Sequence, residues 1–438
     1  MERMLPLAHE SVGGRSVADI RRDFPAFDPV EGAPERAYLD SAATSQRPRQ
    51  VLDAERDYLE HALAAVHRGT SAAVGESTSR FEDARAEVAR FVGAGDRELV
   101  WAENATDALN IVALGLADAS AGLGGGEAER LALGAGDEIV VTEAEHHANL
   151  IPWQRLAAKT GARLVPVRVD ERGLWSLDAM AEAITERTRV VAFAEVSNVT
   201  GFIAPVADVA ELAHRRGAFV VLDACQSVPH RPVDFTAQGV DFAAFSGHKM
   251  LGPNGIGALF GRAELLDALP PARTGGSTIT VVTMESAEFL PSPHRFEAGT
   301  QPVSQVVALA EAVRYLDALG MDAVAAHERA FADRVLDGLA SVPGIRVLGP
   351  DAGVARAGLV SVAVDGVHAH DVGQFLDESG VDVRTGHHCA QPLHRALGLT
   401  SSTRASSHVY TSLDEADRFV AALADARRFF GVAEEASA

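Results

Sequence analysis

The sequence predicts an α/β protein: a mostly parallel sheet covered by helices, with a second, smaller α/β unit after it. Three observations predict this. Short runs rich in β-branched residues recur after Tyr38, and their ends turn into polar residues. Helical patterns lie between them, several ending near a glycine. A long helical stretch then introduces further helices and short strands. Strands alternating with helices build a sheet covered on both faces, and ligands of such sheets collect at the carboxyl ends of the strands.

The elements follow in order. The first 35 residues are polar and proline-containing, with a short amphipathic segment at "VADIRRDFPAF", and read as an arm. The expected strands are "DEIVVTEAEHH", "ARLVPVRV", "TRVVAFAEVSN", "AFVVLDACQS" and "VDFAAFSGHK". The expected helices between them are "ANLIPWQRLAAKTG", "SLDAMAEAITERT" and "VADVAELAHRRG". "SQVVALAEAVRYLDALG" begins the smaller unit, which continues through "GLVSVAVDG" and "VDVRTG" to "SLDEADRFVAALADARRFF". The division expected is a large domain over residues 35–306 and a small one made of residues 1–34 and 307–438. The glycine-rich residues 117–136 lack the strand-to-helix context of a phosphate loop and read as a mobile surface loop.

Composition narrows the function. The 438 residues are 47% hydrophobic and 23% charged, with 39 Lys plus Arg against 61 Asp plus Glu, a net charge of -22. Repulsion opposes binding to nucleic acid or an anionic membrane, and no basic run offsets it. Two cysteines fit a reducing compartment better than a disulfide framework. With no signal-peptide stretch and no apolar span, a cytoplasmic location is expected.

The polar strand ends hold the chemistry. Lys249 closes a strand in "FSGHKMLGPNGIG", packed among glycines. A lysine is ordinarily a solvated charge; one held in that setting is a candidate Schiff-base former, because desolvation frees its amine. Asp223 ends "AFVVLD" and taken singly would cap a helix. Paired with Lys249 it suggests pyridoxal phosphate, whose ring nitrogen needs a buried carboxylate to keep its proton. Gln226 would reach the ring hydroxyl. Thr106, at a helix start in "ENATDALNIVA", and Ser246 and His248 beside the lysine offer donors to a phosphate. In "RTGHHCAQPL", Cys389 follows two histidines. Adjacent side chains diverge, so a shared metal is the weakest reading. A packed hydrophobe and a thiolate favoured by a cationic neighbourhood both stay open on these residues alone.

At this point the chain resembles a known family. "YLDSAATSQRP", "HRGTS", "EHHANLIPWQ", "EVSNVTG", "FSGHKMLGPNGIGALFG", "RFEAGTQP" and "RTGHHCAQPL" look like the SufS-type cysteine desulfurases, from about Phe24 to the last helix. These are fold-type I, class V aminotransferase-like enzymes, so the resemblance implies a seven-stranded, mostly parallel sheet and a pyridoxal phosphate cofactor. It implies Lys249 as the cofactor lysine, His146 stacked on the ring and Asp223 at the ring nitrogen. Gln226 would meet the ring oxygen; Thr106, Ser246 and His248 the phosphate; Thr300 the phosphate of the other subunit of a homodimer. Asn198 and Arg404 would hold the substrate carboxylate, with Arg384 and His67 also at the substrate. Cys389 becomes the nucleophile that takes sulfur from L-cysteine as a persulfide, leaving alanine, for iron–sulfur cluster assembly. Cys225 stands in "DACQ" where many relatives read "DGAQ" and is expected to be a packed residue.

The alternatives weighed are a selenocysteine lyase on the same residues, a plain aminotransferase that needs no thiol, and a silent scaffold of sulfur delivery. The resemblance also raises a partner. In "DGVHAHDVGQFL", Asp371 is expected to cap a helix, and the bland reading of His368 and His370 is two solvated loop histidines. Relatives that hand sulfur to the zinc-carrying acceptor SufU have a histidine at the position of His370, so a SufU-like partner is expected there.

Overall fold

The computed structural model describes residues 10–32 and 34–431. The large sheet has seven strands: β1 Leu99–Ala102, β2 Glu138–Thr142, β3 Arg163–Val167, β4 Thr188–Ala194, β5 Phe219–Asp223, β6 Phe242–Ser246 and β7 Gly257–Gly261. Their spatial order is 3-2-4-5-6-7-1. Strands β2 to β6 pair in parallel, while β7 runs antiparallel to both β6 and β1.

Period-two alternation sorts the side chains onto two cores. Val140, Val191, Val220 and Phe245 fall in one cluster, and their neighbours Val141, Val190, Val221 and Ala244 in the other. Helices α1 (Ala72–Phe91), α2 (Ala105–Ser120), α3 (Ile151–Thr160), α4 (Val206–His214) and α5 (Val303–Leu319) contribute to these cores. α2 and α3 lie in the second cluster; α1, α4 and α5 lie in the first. Burial on both faces explains why the strands read as continuous apolar runs.

Gly257 has a packing reason. A Cβ there would lie 2.5 Å from the Phe245 carbonyl oxygen and 2.8 Å from the Asn104 Cα. Its absence lets β7 approach the turn that starts α2, which fixes that helix end against the sheet.

Four antiparallel strands form a second sheet: β8 Ile345–Leu348, β9 Leu359–Val364, β10 Arg384–Gly386 and β11 Ser402–Ser406, in the order 8-9-11-10. Helices α6 (Met321–Leu339), α7 (Ala369–Glu378) and α8 (Leu413–Phe429) close a third core over it through Phe331, Val372 and Phe419. The segment Ala37–Tyr38 pairs in parallel with Val381–Asp382. The entry of the chain is thereby stitched to this second unit. Among the described residues no helix is long and apolar enough to cross a membrane.

Residues 117–136 differ from the expected mobile loop. α2 runs on to Ser120, and a 3-10 turn over Gly126–Leu131 follows. Ala128 and Leu131 are buried in the core beside α2. The apolar residues spaced among the glycines fold this segment onto the protein.

Candidate active site

The carboxyl ends of the parallel strands open into a cleft of about 970 Å³. β5 ends in Asp223, 6% exposed, and its neighbours in register are Ala194 of β4 and Ala244 of β6. β6 is followed by one 3-10 turn, Gly247–Lys249, which carries Lys249 into the cleft. Lys249 is one of two lysines in the chain; the other, Lys159, is exposed. Gln226 is buried, donates from Nε2 to the Ala42 carbonyl at 2.8 Å, and leaves Oε1 without a partner. Such a buried orphan costs about 1–3 kcal/mol unless a ligand meets it.

One wall suits an anion. Thr106 is in the first turn of α2, whose cap is Asn104, accepting from the Asp107 N–H at 3.0 Å. Ser246 Oγ accepts from the Ala105 N–H at 2.9 Å, tying β6 to the helix start. First-turn amides and the helix dipole favour a phosphate here. His248 lies within 3.2 Å of Thr44 Oγ1, and burial followed by the charges of Lys249 and Arg47 pushes its pKa down to about 4. It is neutral and able to donate or accept. His146 follows β2 and takes the Ala148 N–H on Nδ1 at 3.0 Å. Burial lowers its pKa to about 4; Asp223 opposes that and Lys249 adds to it. A neutral imidazole there can lie against a ring without repelling a protonated ring nitrogen.

The opposite wall comes from the second sheet. Arg404 on β11 is 2% exposed, donates to the Asn198 carbonyl at 2.8 Å and lies 3.3 Å from Asp40 Oδ1, leaving Nε unpaired. Burial brings its pKa down to about 10, still cationic at neutral pH. Arg384 on β10 is its cross-strand partner and also lines the cleft. Two guanidiniums with an unsatisfied N–H form a receptor for a small carboxylate.

Cys389 enters between these walls on a strained turn. His388 and Cys389 have φ values of +49° and +56°, a left-handed pair that costs about 1–2 kcal/mol per residue. The surroundings enforce it. Asn198 Nδ2 donates to the His388 carbonyl at 2.7 Å, and the His147 N–H donates to the Cys389 carbonyl at 2.7 Å. The Gln391 N–H donates to His147 Nε2 at 3.2 Å. His388 Nε2 and His394 Nε2 each lie 3.0 Å from the single Ser402 hydroxyl. Burial, then Arg404 and other cations, push the His388 pKa down to about 2. The cationic neighbourhood of the thiol therefore includes no charge from His388; it comes from the guanidiniums, with Arg404 close enough to feel Cys389.

Cys225 faces the same cleft with a small part of its surface. Enclosure and the adjacent Asp223 push its thiol up to about 12. Its sulfur meets the Ser246 hydroxyl at 3.7 Å. It is a filler of the anion wall.

Three expected residues stand apart from the cleft. His67, at φ +62°, bonds Glu82 at 2.7 Å, and its ring lies 5.0 Å from that of His294. Thr300 is exposed and lines a neighbouring hollow of about 390 Å³, which shares Glu103, Asn104 and Gly255 with the cleft. Its segment is held by Glu297, which takes two bonds from the buried Arg85 at 2.6 and 2.9 Å and the Trp101 N–H at 2.8 Å. His370 is exposed in the first turn of α7. The cap of that helix is His368, not Asp371 as expected: His368 Nδ1 accepts the His370 N–H at 3.3 Å, and Asp371 sits within the first turn, where the dipole favours it.

Two other histidine–carboxylate groups are poor metal sites. In the buried His230, Glu328 and His408, the His408 Nδ1 is occupied by the Val409 N–H and the His230 Nδ1 by Glu328 at 2.9 Å. In His67, Glu82 and His294, the guanidinium of Arg85 already lies 2.8 Å from Glu82. Glu145 and its bonds to Thr142 and Asn149, below His146, carried no signal in the sequence beyond adjacency to "HH".

Comparison with known proteins decides the family. Residues 37–419 match the Aminotransferase class-V family. "Probable cysteine desulfurase 2" of Mycobacterium leprae is 53% identical over 413 residues, covering 94% of this chain and 97% of that protein. This chain belongs to the cysteine desulfurases of the class-V aminotransferase family. The cysteine desulfurase of Haloferax volcanii is 44% identical to this desulfurase over 90% of each chain. Among solved structures, the apo cysteine desulfurase of Thermococcus onnurineus superposes with a TM-score of 0.87 at 36% identity, over 94% of this chain and 98% of that one. CsdA of Escherichia coli gives 0.83 at 35%, over 95% and 99%.

Proposed function

We propose that the cleft converts L-cysteine to L-alanine and leaves the sulfur on Cys389, with pyridoxal phosphate as cofactor. The observation that carries this is the meeting of Cys389, Lys249, Asp223 and Arg404 in one cleft from four separate segments. The residues fit the cofactor. Lys249 would carry it, Asp223 would hold the ring proton, Gln226 would turn its half-satisfied amide to the ring oxygen, and His146 would lie on the ring. Thr106, Ser246 and His248 would hold the phosphate. When bound, the cofactor supplies a sink for the electron pair left at the substrate Cα.

The chain's own residues do the rest. Arg404, with Asn198 and Arg384, fixes the substrate carboxylate and so aims the Cα–H at the Lys249 amine, which takes that proton. The Cys389 thiolate attacks the substrate sulfur. The carbon–sulfur bond breaks, a persulfide forms on Cys389, and the three-carbon remainder takes at Cβ the proton the substrate thiol gave up, regains one at Cα from Lys249 and leaves as alanine. Cys389, on its pinned turn, is offered as the acceptor, and His146 can relay a proton at the substrate sulfur. The test is stoichiometry: cysteine should yield alanine and protein-bound persulfide in equal amounts, and alanine without persulfide would overturn the assignment. Turnover on selenocysteine in parallel distinguishes the lyase reading.

A cytoplasmic homodimer of the SufS type is the assembly we infer. Thr300 faces a hollow at the mouth of the cleft, and the nearby hairpin of Ile279–Val282 and Ala287–Phe289 exposes Val281, Val282 and Met284. An apolar tip of that kind favours burial against a second subunit, which would also bring His67 and Thr300 to the other cleft. The persulfide would pass to a SufU-like zinc protein for iron–sulfur cluster assembly. An imidazole from His370 can replace a zinc-bound thiolate on that partner and free it to attack. Zinc-loaded partner should accelerate alanine production, and His370→Ala should abolish the acceleration while sparing the basal rate. Equal stimulation of both forms leaves His370 a surface histidine.

A further inference from the structure

Beneath the cofactor-binding wall lies a carboxyl group with no cation. Glu145 precedes His146 and is 1% exposed. Its Oε1 is 2.5 Å from Thr142 Oγ1, and its Oε2 accepts from Asn149 Nδ2 at 2.6 Å. Asn149 in turn accepts from the Trp153 indole N–H at 2.9 Å. Among the described residues no Arg, Lys or His forms an ion pair with Glu145. Thr142, Asn149 and the Ala194 backbone are its hydrogen-bonding neighbours, and the charged group that bears on it is Asp223, at the end of β5.

Two other buried glutamates are paired with guanidiniums. Glu297 has Arg85, and Glu138, equally buried, has Arg163 and Arg187. Ionising Glu145 would place a second anion, desolvated and unpaired, near the carboxylate meant for the ring nitrogen. The cost of an isolated buried ion exceeds what two neutral donors return. We propose that Glu145 is a neutral carboxylic acid and a positioning residue: its hydrogen bonds hold the turn bearing His146, and its proton leaves Asp223 as the sole anion beneath the cofactor ring. Burial pushes its pKa up to about 8, with Asp223 adding to the effect. A carboxyl of that kind is uncharged through the neutral range and ionises when the pH rises past it.

The inference rests on the pyridoxal phosphate reading for its consequence and on the protein alone for its protonation state, and the experiment separates the two. Infrared difference spectra of the cofactor-free protein, parent minus Glu145→Gln, should show at pH 7 a protonated-carboxyl C=O band that fades between about pH 7 and pH 9. Absence of that band at pH 7 overturns the proposal whatever binds the cleft. Pyridoxal phosphate affinity, by fluorescence quenching, should at pH 7 stay within about threefold of the parent in Glu145→Gln. It should fall at least about tenfold in Glu145→Ala, where the turn loses both bonds. The parent should lose affinity above about pH 8, and the glutamine variant should not share that loss. Glutamine weakening binding as much as alanine, with near-ultraviolet circular dichroism unchanged, would show that the charge is needed and overturn the proposal. A parent that binds no pyridoxal phosphate defeats the cofactor reading and leaves the infrared result to judge Glu145.

Discussion

Two cysteines face one cleft, and their surroundings give them opposite characters. Cys225 sits at the start of the turn after β5, enclosed against Ser246, with the negative Asp223 two residues away. Cys389 sits on a left-handed turn within the field of Arg404. Desolvation and a nearby anion disfavour a thiolate, whereas neighbouring cations favour one. Reactivity here belongs to position in the fold and to the neighbours' charges.

The largest test of this contrast is a pair of substitutions. Cys389→Ala should reduce persulfide-forming turnover at least about a thousandfold while retaining cofactor binding, and Cys225→Ala should stay within about twofold of the parent. Comparable losses in both would break the comparison. Thiol labelling probes the same contrast without mutation. At pH 8 a thiol of pKa about 12 is ionised in only about one molecule in ten thousand, so iodoacetamide mapped by mass spectrometry should modify Cys389 at least about a hundredfold faster, until denaturant equalises the two.

A smaller effect tests whether the shape of the turn matters. Asn198→Ala deletes the bond to the His388 carbonyl and should lower turnover about tenfold or more, with the thermal midpoint nearly unchanged. Because Asn198 is also offered to the substrate carboxylate, the alkylation rate of Cys389 in cofactor-free protein is the cleaner readout, and it should fall as well.

The smallest expected effect is on acid stability. Burial holds His146, His230 and His388 down to about 4, 3 and 2. A depressed histidine adds stability that is fully present above the unfolded value near 6.5 and lost as pH falls. Glu145, raised to about 8, acts in the other direction and offsets about one proton between pH 4.5 and pH 8. For these four groups the net is about two protons near pH 5, about 3 kcal/mol lost per pH unit. His388→Asn, which also tolerates a left-handed backbone, should remove one proton, about 1 kcal/mol per pH unit. Cys225→Ala should leave the slope alone. Urea midpoints between pH 4.5 and 6.5 measure both.

Much of this was legible in the sequence. The strands ending in Asp223, Ser246 and Thr142 are long apolar runs with polar ends, and the side chains that follow them reach the cleft where such runs imply. β1 was illegible because it is only four residues long, and β7 because it follows β6 through a glycine-rich turn with no α-helix between them and runs antiparallel to it. The left-handed pair at His388 and Cys389 carries no glycine to announce it; contacts from Asn198 and His147, distant in sequence, impose it. His388 reads as a cation by residue type, and only its enclosure shows it neutral. His67 and Thr300 lie away from the cleft, and the structure does not bring them to the roles expected of them. Glu145 had no signal because its meaning depends on the absence of a cation around it.

The turn that presents Cys389 belongs to the second sheet, yet two of the bonds that bend it, from Asn198 and His147, come from the ends of strands in the first. The reactive geometry is therefore a property of neither unit by itself. Any state in which the two sheets are separated therefore lacks the bonds that bend this turn, even with Lys249 and Asp223 in place.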